Sequence, residues 1–363
     1  MDLQFITAAN FSNLLMGLSA AAEVYVPRVV EKRVPWQSGG PEGVLGRATP
    51  DAAPARTSWQ KYAPDRFYQT TAVRVDQPVK GFFFAAQEQV GSYPAREPLE
   101  PKAPRRVIVG AKACDLVALK TYEAVFAGGD VKDDFYISKR RNTMIIAADC
   151  PEPIETCWCT VLGGKPWPTE GFDLSLAAVE GGYLVEVGSA EGQAAFEKSR
   201  GFFSPASEAQ ASQREAARRV AEAKLRELNA ALEVGQPRQK LVQRADRPGK
   251  WLEGVATCVE CGACLFACPT CHCFLLHDYP ASGGGASRAK AWDACIYGGY
   301  HLMAGGGSPR ADLTKRFRNR WLHKFDYFVD GFGFEACSGC GRCIACCPGK
   351  IDLRKVIKSL EGA

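Results

Sequence analysis

Cys258, Cys261, Cys264 and Cys268 stand in a CxxCxxCxxxC run with Pro269 behind it, and Cys337, Cys340, Cys343 and Cys347 repeat the pattern ahead of Pro348. Three thiolates two residues apart let a tight loop wrap one face of a cubane [4Fe–4S] cluster. The fourth, at the start of a helix, reaches the other cluster in two-cluster ferredoxins. By that crossing one cluster takes Cys258, Cys261, Cys264 and Cys347, and the other takes Cys337, Cys340, Cys343 and Cys268. Gly262, Ala263, Gly339 and Gly341 suit loops that approach a cluster this closely. Structural zinc, the alternative for clustered thiols, usually takes two separated CxxC pairs and has no use for a third Cys or for the Cys-Pro terminus. A cubane whose irons are all held by protein thiolates offers substrate no open site, so its default chemistry is one-electron transfer.

Twelve of the sixteen cysteines lie between Cys258 and Cys347. Four of these twelve are left over. Cys346 is expected to be a buried small hydrophobe, and Cys271 and Cys273 are expected to pack near the first cluster rather than to ligate it; Cys295 carries no assignment. His272 and His277 are read as structural, since both cubanes are complete without them. Farther upstream, Cys114, Cys150, Cys157 and Cys159 define a second thiol region. A CxC pair plus two distant thiols can converge on a third metal or cluster site after folding. The irregular spacing and the missing CxxC favour packing cysteines instead, and the expectation is that these four bind no metal.

The elements that must position these thiols are only partly signalled. The chain has 363 residues, enough for two domains, with 46% hydrophobic and 23% charged residues, an ordinary globular composition. The net charge of +5, from 45 basic and 40 acidic residues, is too mild for a dedicated nucleic-acid binder, and no apolar run approaches a membrane span. The apolar patch at 14–22 lacks signal-peptide flanks, so export is not expected and a reducing, cytoplasmic setting is. A helix is expected at 11–22, with strands at 67–75, 106–109, 143–147 and 183–187. Residues 35–64 and 92–104 read as long loops. Ser207 and Gln210 form a capping-box signal for an amphipathic helix carrying Ala221, Leu225, Leu228 and Leu232, with Gly235 and Pro237 as its stop. Residues 110–115 follow a strand and suggest an anion site at a helix start, too poor in glycine for a nucleotide motif. A boundary near 245 separates an α/β or α+β domain, 1–245, from a ferredoxin-like dicluster domain, 246–363. Between the two motifs lies a helical insertion with the basic run Arg310, Lys315, Arg316, Arg318, Arg320, His323 and Lys324. Those cations either offset anionic clusters, face an acidic partner, or form a solvated helix face. Phe317, Trp321 and Phe325 recur at helical spacing and belong to a core.

The residues Cys268-Pro-Thr-Cys-His-Cys-Phe, Ala291-Trp-Asp-Ala-Cys, Ala304-Gly-Gly-Gly-Ser-Pro-Arg, Arg316-Phe-Arg-Asn-Arg-Trp-Leu-His-Lys-Phe and Cys337-Ser-Gly-Cys-Gly-Arg-Cys resemble the dicluster electron-transfer subunits typified by the sulfhydrogenase beta subunit and by its counterpart in anaerobic sulfite reductase. Gly110-Ala-Lys-Ala-Cys-Asp-Leu, residues 136–141, Asp149-Cys150, Cys157-Trp-Cys159 and Gly171-Phe-Asp-Leu extend the likeness upstream. His272 departs from it, standing where an aromatic residue is usual, and Cys346 adds a thiol. The resemblance implies two [4Fe–4S] clusters on this chain and no catalytic residue. It further implies flavin and NAD(P) on a diaphorase-like flavoprotein partner, with the catalytic partner a hydrogenase or reductase, in a soluble complex without nucleic acid or a membrane span. Two rivals stand beside this reading: an autonomous reductase with its centre at Cys157 and Cys159, and a binding module that clusters merely stabilise.

Overall fold

The computed structural model describes residues 3–30, 56–66, 68, 74–94, 99–244, 248–281 and 284–361. Its strands are β1 (Gln4–Thr7), β2 (Glu23–Val30), β3 (Arg56–Lys61), β4 (Gln87–Tyr93), β5 (Arg106–Ala111), β6 (Thr143–Ala148), β7 (Leu174–Val179), β8 (Gly182–Val187), β9 (Phe203–Pro205), β10 (Phe274–Pro280) and β11 (Ala286–Trp292). Eight of them form one sheet in the order β3-β2-β5-β6-β7-β8-β1-β9. β2, β5, β6 and β7 pair in parallel, and the remaining neighbours are antiparallel.

The centre of the sheet is apolar on both faces, which is why β5 and β6 read as continuous hydrophobic runs. Val107, Val109, Met144 and Ile146 face the helix Ala8–Ser19 with its Phe11, Leu14 and Leu15. Ile108 and Ile145, one register position over, face Leu119, Tyr122 and Phe126 of the helix Ala113–Phe126. The mixed α/β architecture follows the sequence reading, with helix and strands near 11–22, 106–109, 143–147 and 183–187. The expected strand at 67–75 lies mostly outside the described residues. The loop expected over 35–64 is corrected at its end, where residues 56–61 form β3 on the sheet edge: alternating Thr57, Trp59 and Lys61 pair with β2, and Trp59 buries its ring. Ser207 accepts from the Gln210 amide, and the Gln210 side chain accepts in return from the Ser207 amide, starting the helix Glu208–Asn229.

A second core gathers Trp251, Val255, Phe317, Trp321, Phe325, Val356, Ile357 and Leu360, and includes Leu241, Val242 and, from far upstream, Trp158. The segment between the cysteine motifs is less uniformly helical than expected. It opens with the β10–β11 hairpin, which β4 extends into a three-stranded sheet, and only then enters the helix Leu313–Leu322. Phe274, Leu275, Leu276 and Tyr279 remain exposed on β10. No helix among the described residues is long and apolar enough to cross a membrane.

Candidate metal centre

The two cysteine motifs fold alike. Gly262 and Gly341 each take a left-handed conformation, φ 71° and 68°, immediately before the short helices Ala263–Phe266 and Arg342–Ala345. A Cβ would strain both positions and, at Gly341, would lie 2.0 Å from the Thr156 carbonyl oxygen, so only glycine fits there.

Cys258, Cys261 and Cys264 line one cavity together with Cys347 of the second motif. Cys343, Phe317, Arg320 and Trp321 complete much of its wall. Cys268 lies within electrostatic reach of both motifs: its charge acts on Cys264 of its own motif and on Cys337 and Cys343 of the second. A cubane fits the first cavity chemically, because its donors are soft thiols and because Arg320 and Trp321, which line it, each carry a buried N–H without a hydrogen-bond partner. Among the described residues, no three His, Cys, Asp or Glu side chains close on one point as ligands of a single ion do.

The helix Leu313–Leu322 and the π-helical turn His323–Tyr327 place Arg316, Arg320 and Lys324 on one buried face at four-residue spacing. Lys324 Nζ lies 3.5 Å from Cys268 Sγ and donates to Thr270 Oγ1 at 2.7 Å and the Ala336 carbonyl at 2.9 Å. Burial works against its charge, yet the Cys268, Cys271 and Cys337 thiolates hold the Lys324 ammonium protonated, with its pKa raised. Arg320 donates to the Cys264 carbonyl at 3.3 Å. Two of the seven basic residues, Arg320 and Lys324, therefore reach the cysteine loops, while Arg316 pairs with Glu260 and exposed Lys315 pairs with Asp312.

Several groups with no signal in the sequence also reach the motif loops. Lys80, fully buried, donates to the Leu265 and Cys271 carbonyls at 3.0 and 3.2 Å and sits 4.4 Å over the Trp292 ring. Tyr122 donates to the Cys271 carbonyl at 2.6 Å. Arg74 donates to the Cys340 carbonyl, and Arg342, inside the second motif, pairs with buried Asp115 at 2.9 Å. Arg342 did carry a signal, a cation between two ligand-type cysteines, whereas Arg74, Lys80 and Tyr122 approach only through tertiary packing.

The leftover cysteines divide. Cys271 donates to Cys268 and helps to hold the Cys268 thiol well below its usual range, against the effect of burial. Cys273 is drawn down to about 6, chiefly by a hydrogen bond from Cys295, with Tyr300 assisting. Cys346 corrects the expectation of a buried hydrophobe: it is exposed where the helix Arg342–Ala345 ends, its turn facing outward. His272 is half-buried among Tyr122, Phe126, His323 and Phe328, and the loss of hydration followed by His323 pushes its pKa down to about 3.

The upstream thiols, which the spacing left scattered, come together. Cys114, Cys150, Cys157 and Cys159 line a single cavity with Cys340. Burial pushes Cys150 up to about 11 and Cys159 up to about 12. The helix start at 110–115, expected to suit an anion, is closed internally by Asp115, whose carboxylate accepts from the Lys112 amide and pairs with Arg342.

Residues 257–351 match the family described as 4Fe-4S dicluster domain. The chain is also similar to sulfhydrogenase 2 subunit beta of Pyrococcus furiosus, with 29% identity over 286 residues, covering 78% of this chain and 83% of that protein. The paired cysteine loops lie within the residues matched as a 4Fe-4S dicluster domain, and the likeness to an iron–sulfur hydrogenase subunit extends over most of the chain.

Proposed function

We propose that the chain relays electrons between a flavin- and NAD(P)H-binding subunit and a catalytic hydrogenase or reductase subunit in a soluble cytoplasmic complex, and makes or breaks no bond itself. Two [4Fe–4S] clusters serve it, one on Cys258, Cys261, Cys264 and Cys347 and the other on Cys337, Cys340, Cys343 and Cys268. A cubane accepts and returns one electron with its ligands unchanged. The observation that carries this reading is the cavity in which Cys347 joins the three cysteines of the other motif. The similarity to a sulfhydrogenase beta subunit supports a partner of hydrogenase type. One-electron carriers without a hydride acceptor of their own need a flavoprotein to split the two electrons of a hydride, which supports the second partner.

The crossing makes a specific demand. Cys347→Ser and Cys261→Ser should erase the same EPR signal from the dithionite-reduced chain, while Cys340→Ser erases the other, because a hydroxyl is a poor substitute for a soft thiolate. If Cys347→Ser and Cys340→Ser remove the same signal, the assignment fails. Oxidation of NAD(P)H by the isolated chain would overturn the relay.

A further inference from the structure

We infer that Cys114, Cys150, Cys157 and Cys159 hold a third iron–sulfur cluster, of the [4Fe–4S] type, at the carboxyl ends of β5 and β6. The inference goes beyond the relay reading and does not depend on which partners the chain has.

The placement comes first. Open α/β sheets bind ligands outside the carboxyl ends of their parallel strands. β5 ends at Ala111, and Cys114 follows in the first turn of the helix Ala113–Phe126. β6 ends at Ala148, and Cys150 follows two residues on, with its amide bound to the Pro166 carbonyl at 2.7 Å. The loop then returns to bring Cys157 and Cys159. The helix Glu208–Asn229 clamps this arrangement at both ends: Arg218 grips Asp149 through two bonds of 2.7 and 3.0 Å, and Asn229 donates to the Cys157 carbonyl at 3.0 Å. Four thiols from three places in the chain, the helix start, the end of β6 and the returning loop, are thus brought around one cavity beside Cys340.

The wall of that cavity is wrong for apolar packing. Besides the thiols it carries Arg74, Lys112 and Lys165, and none of its described lining residues is acidic. Asp115 pairs with Arg342 and Asp149 with Arg218, while Lys165 pairs with Glu222 at the rim and Arg74 lies 3.7 Å from Asp76. Packing cysteines gain nothing from cations, and burying charge beside them is costly, whereas four thiolates on a cubane carry net negative charge that those cations offset. A polar group also lacks its partner. Ser338 Oγ is buried with no hydrogen bond, on the wall of a neighbouring cleft that it shares with Cys114 and Cys159.

Nor does the spacing suit a lone ion. Among the described residues, no three of these thiols close on one point as ligands of a single ion do. A cubane spreads its four ligands over four irons, so it suits thiols that share a cavity without meeting at one point. The site is also built into the dicluster region: the Trp158 amide donates to the Gly339 carbonyl at 2.8 Å, and Cys157 Sγ lies 4.0 Å from the Cys340 carbonyl oxygen.

Anaerobically purified full-length chain, assayed for iron and acid-labile sulfide with Mössbauer and EPR spectra, tests this. Three clusters give about 12 irons per chain. Cys150→Ala with Cys157→Ala should lose about a third of the iron and leave the two motif-cluster signals unchanged. A wild-type count near 8, or a folded double variant that keeps its iron, overturns the inference while leaving the relay reading intact. Should the double variant not fold, the wild-type count decides alone. Failure of the relay itself would show differently, as clusters that are counted in full but do not reduce and reoxidise reversibly.

Discussion

One buried ammonium group of the basic helix reaches a motif cysteine. Lys324 Nζ is 3.5 Å from the Cys268 thiol and has no carboxylate among its bonded partners. A reduced cluster carries one more negative charge than an oxidised one, so a fixed cation beside its ligand favours reduction and raises the potential. Lys324→Met should therefore lower the midpoint potential of the centre that Cys268 serves. A loss of about 1.4 kcal/mol of that attraction corresponds to roughly 60 mV for one electron. An EPR-monitored redox titration reads it, with the centre on Cys258, Cys261, Cys264 and Cys347 as the internal standard. Equal shifts in both centres, or none, would show that Lys324 is screened from Cys268.

Elements carry the next level of constraint, and here the sequence was legible unevenly. The cysteine motifs, the capping box at Ser207 and the apolar strands of the sheet centre were readable because each is a local pattern, fixed by loop geometry, by helix ends or by two-sided burial. β3 was not, because the residues before it resemble a loop and its pairing with β2 is non-local. The convergence of Cys114, Cys150, Cys157 and Cys159 was equally hidden, since it depends on adjacent parallel strands, β5 and β6, whose ends no spacing rule connects. The same distance in sequence hid the ion pair of Asp115 with Arg342, in which both side chains are almost fully buried. It joins the helix Ala113–Phe126 to the second cysteine motif, where Arg342 also donates to the Val75 carbonyl at 2.8 Å. Removing one partner of such a pair strands a buried charge, at a cost of about 3–5 kcal/mol. Asp115→Asn should accordingly lower the urea midpoint with an unchanged slope, whereas substitution of exposed Lys315 should barely move it.

At the scale of the molecule, the region with the eight motif cysteines leans on the region before it to an extent that a simple two-domain division hides. Trp158 fills part of the C-terminal core and β4 supplies the third strand beside β11, although both come from upstream of residue 246. Backbone carbonyls of the cluster loops are bound by Arg74, Lys80 and Tyr122, again from upstream. Arg354 of the last helix, Leu353–Glu361, returns the contact by donating to the Glu155 carbonyl at 2.8 Å and to Asn229. A fragment of residues 246–363 keeps every motif thiolate but loses all of these. Loss of the Trp158 ring alone is a deletion of the kind that costs about 3–5 kcal/mol in a packed core, a large part of the ~5–15 kcal/mol that stabilises a whole domain. Three unpaired loop carbonyls add to it. The fragment, expressed and reconstituted anaerobically, is therefore expected to hold less than half the iron per chain that the full-length protein holds in its two motif clusters, and to lose it on dilution. A fragment that retains both EPR signals and unfolds as sharply as the full chain would establish that the cysteine region is self-sufficient and that the upstream contacts only decorate it.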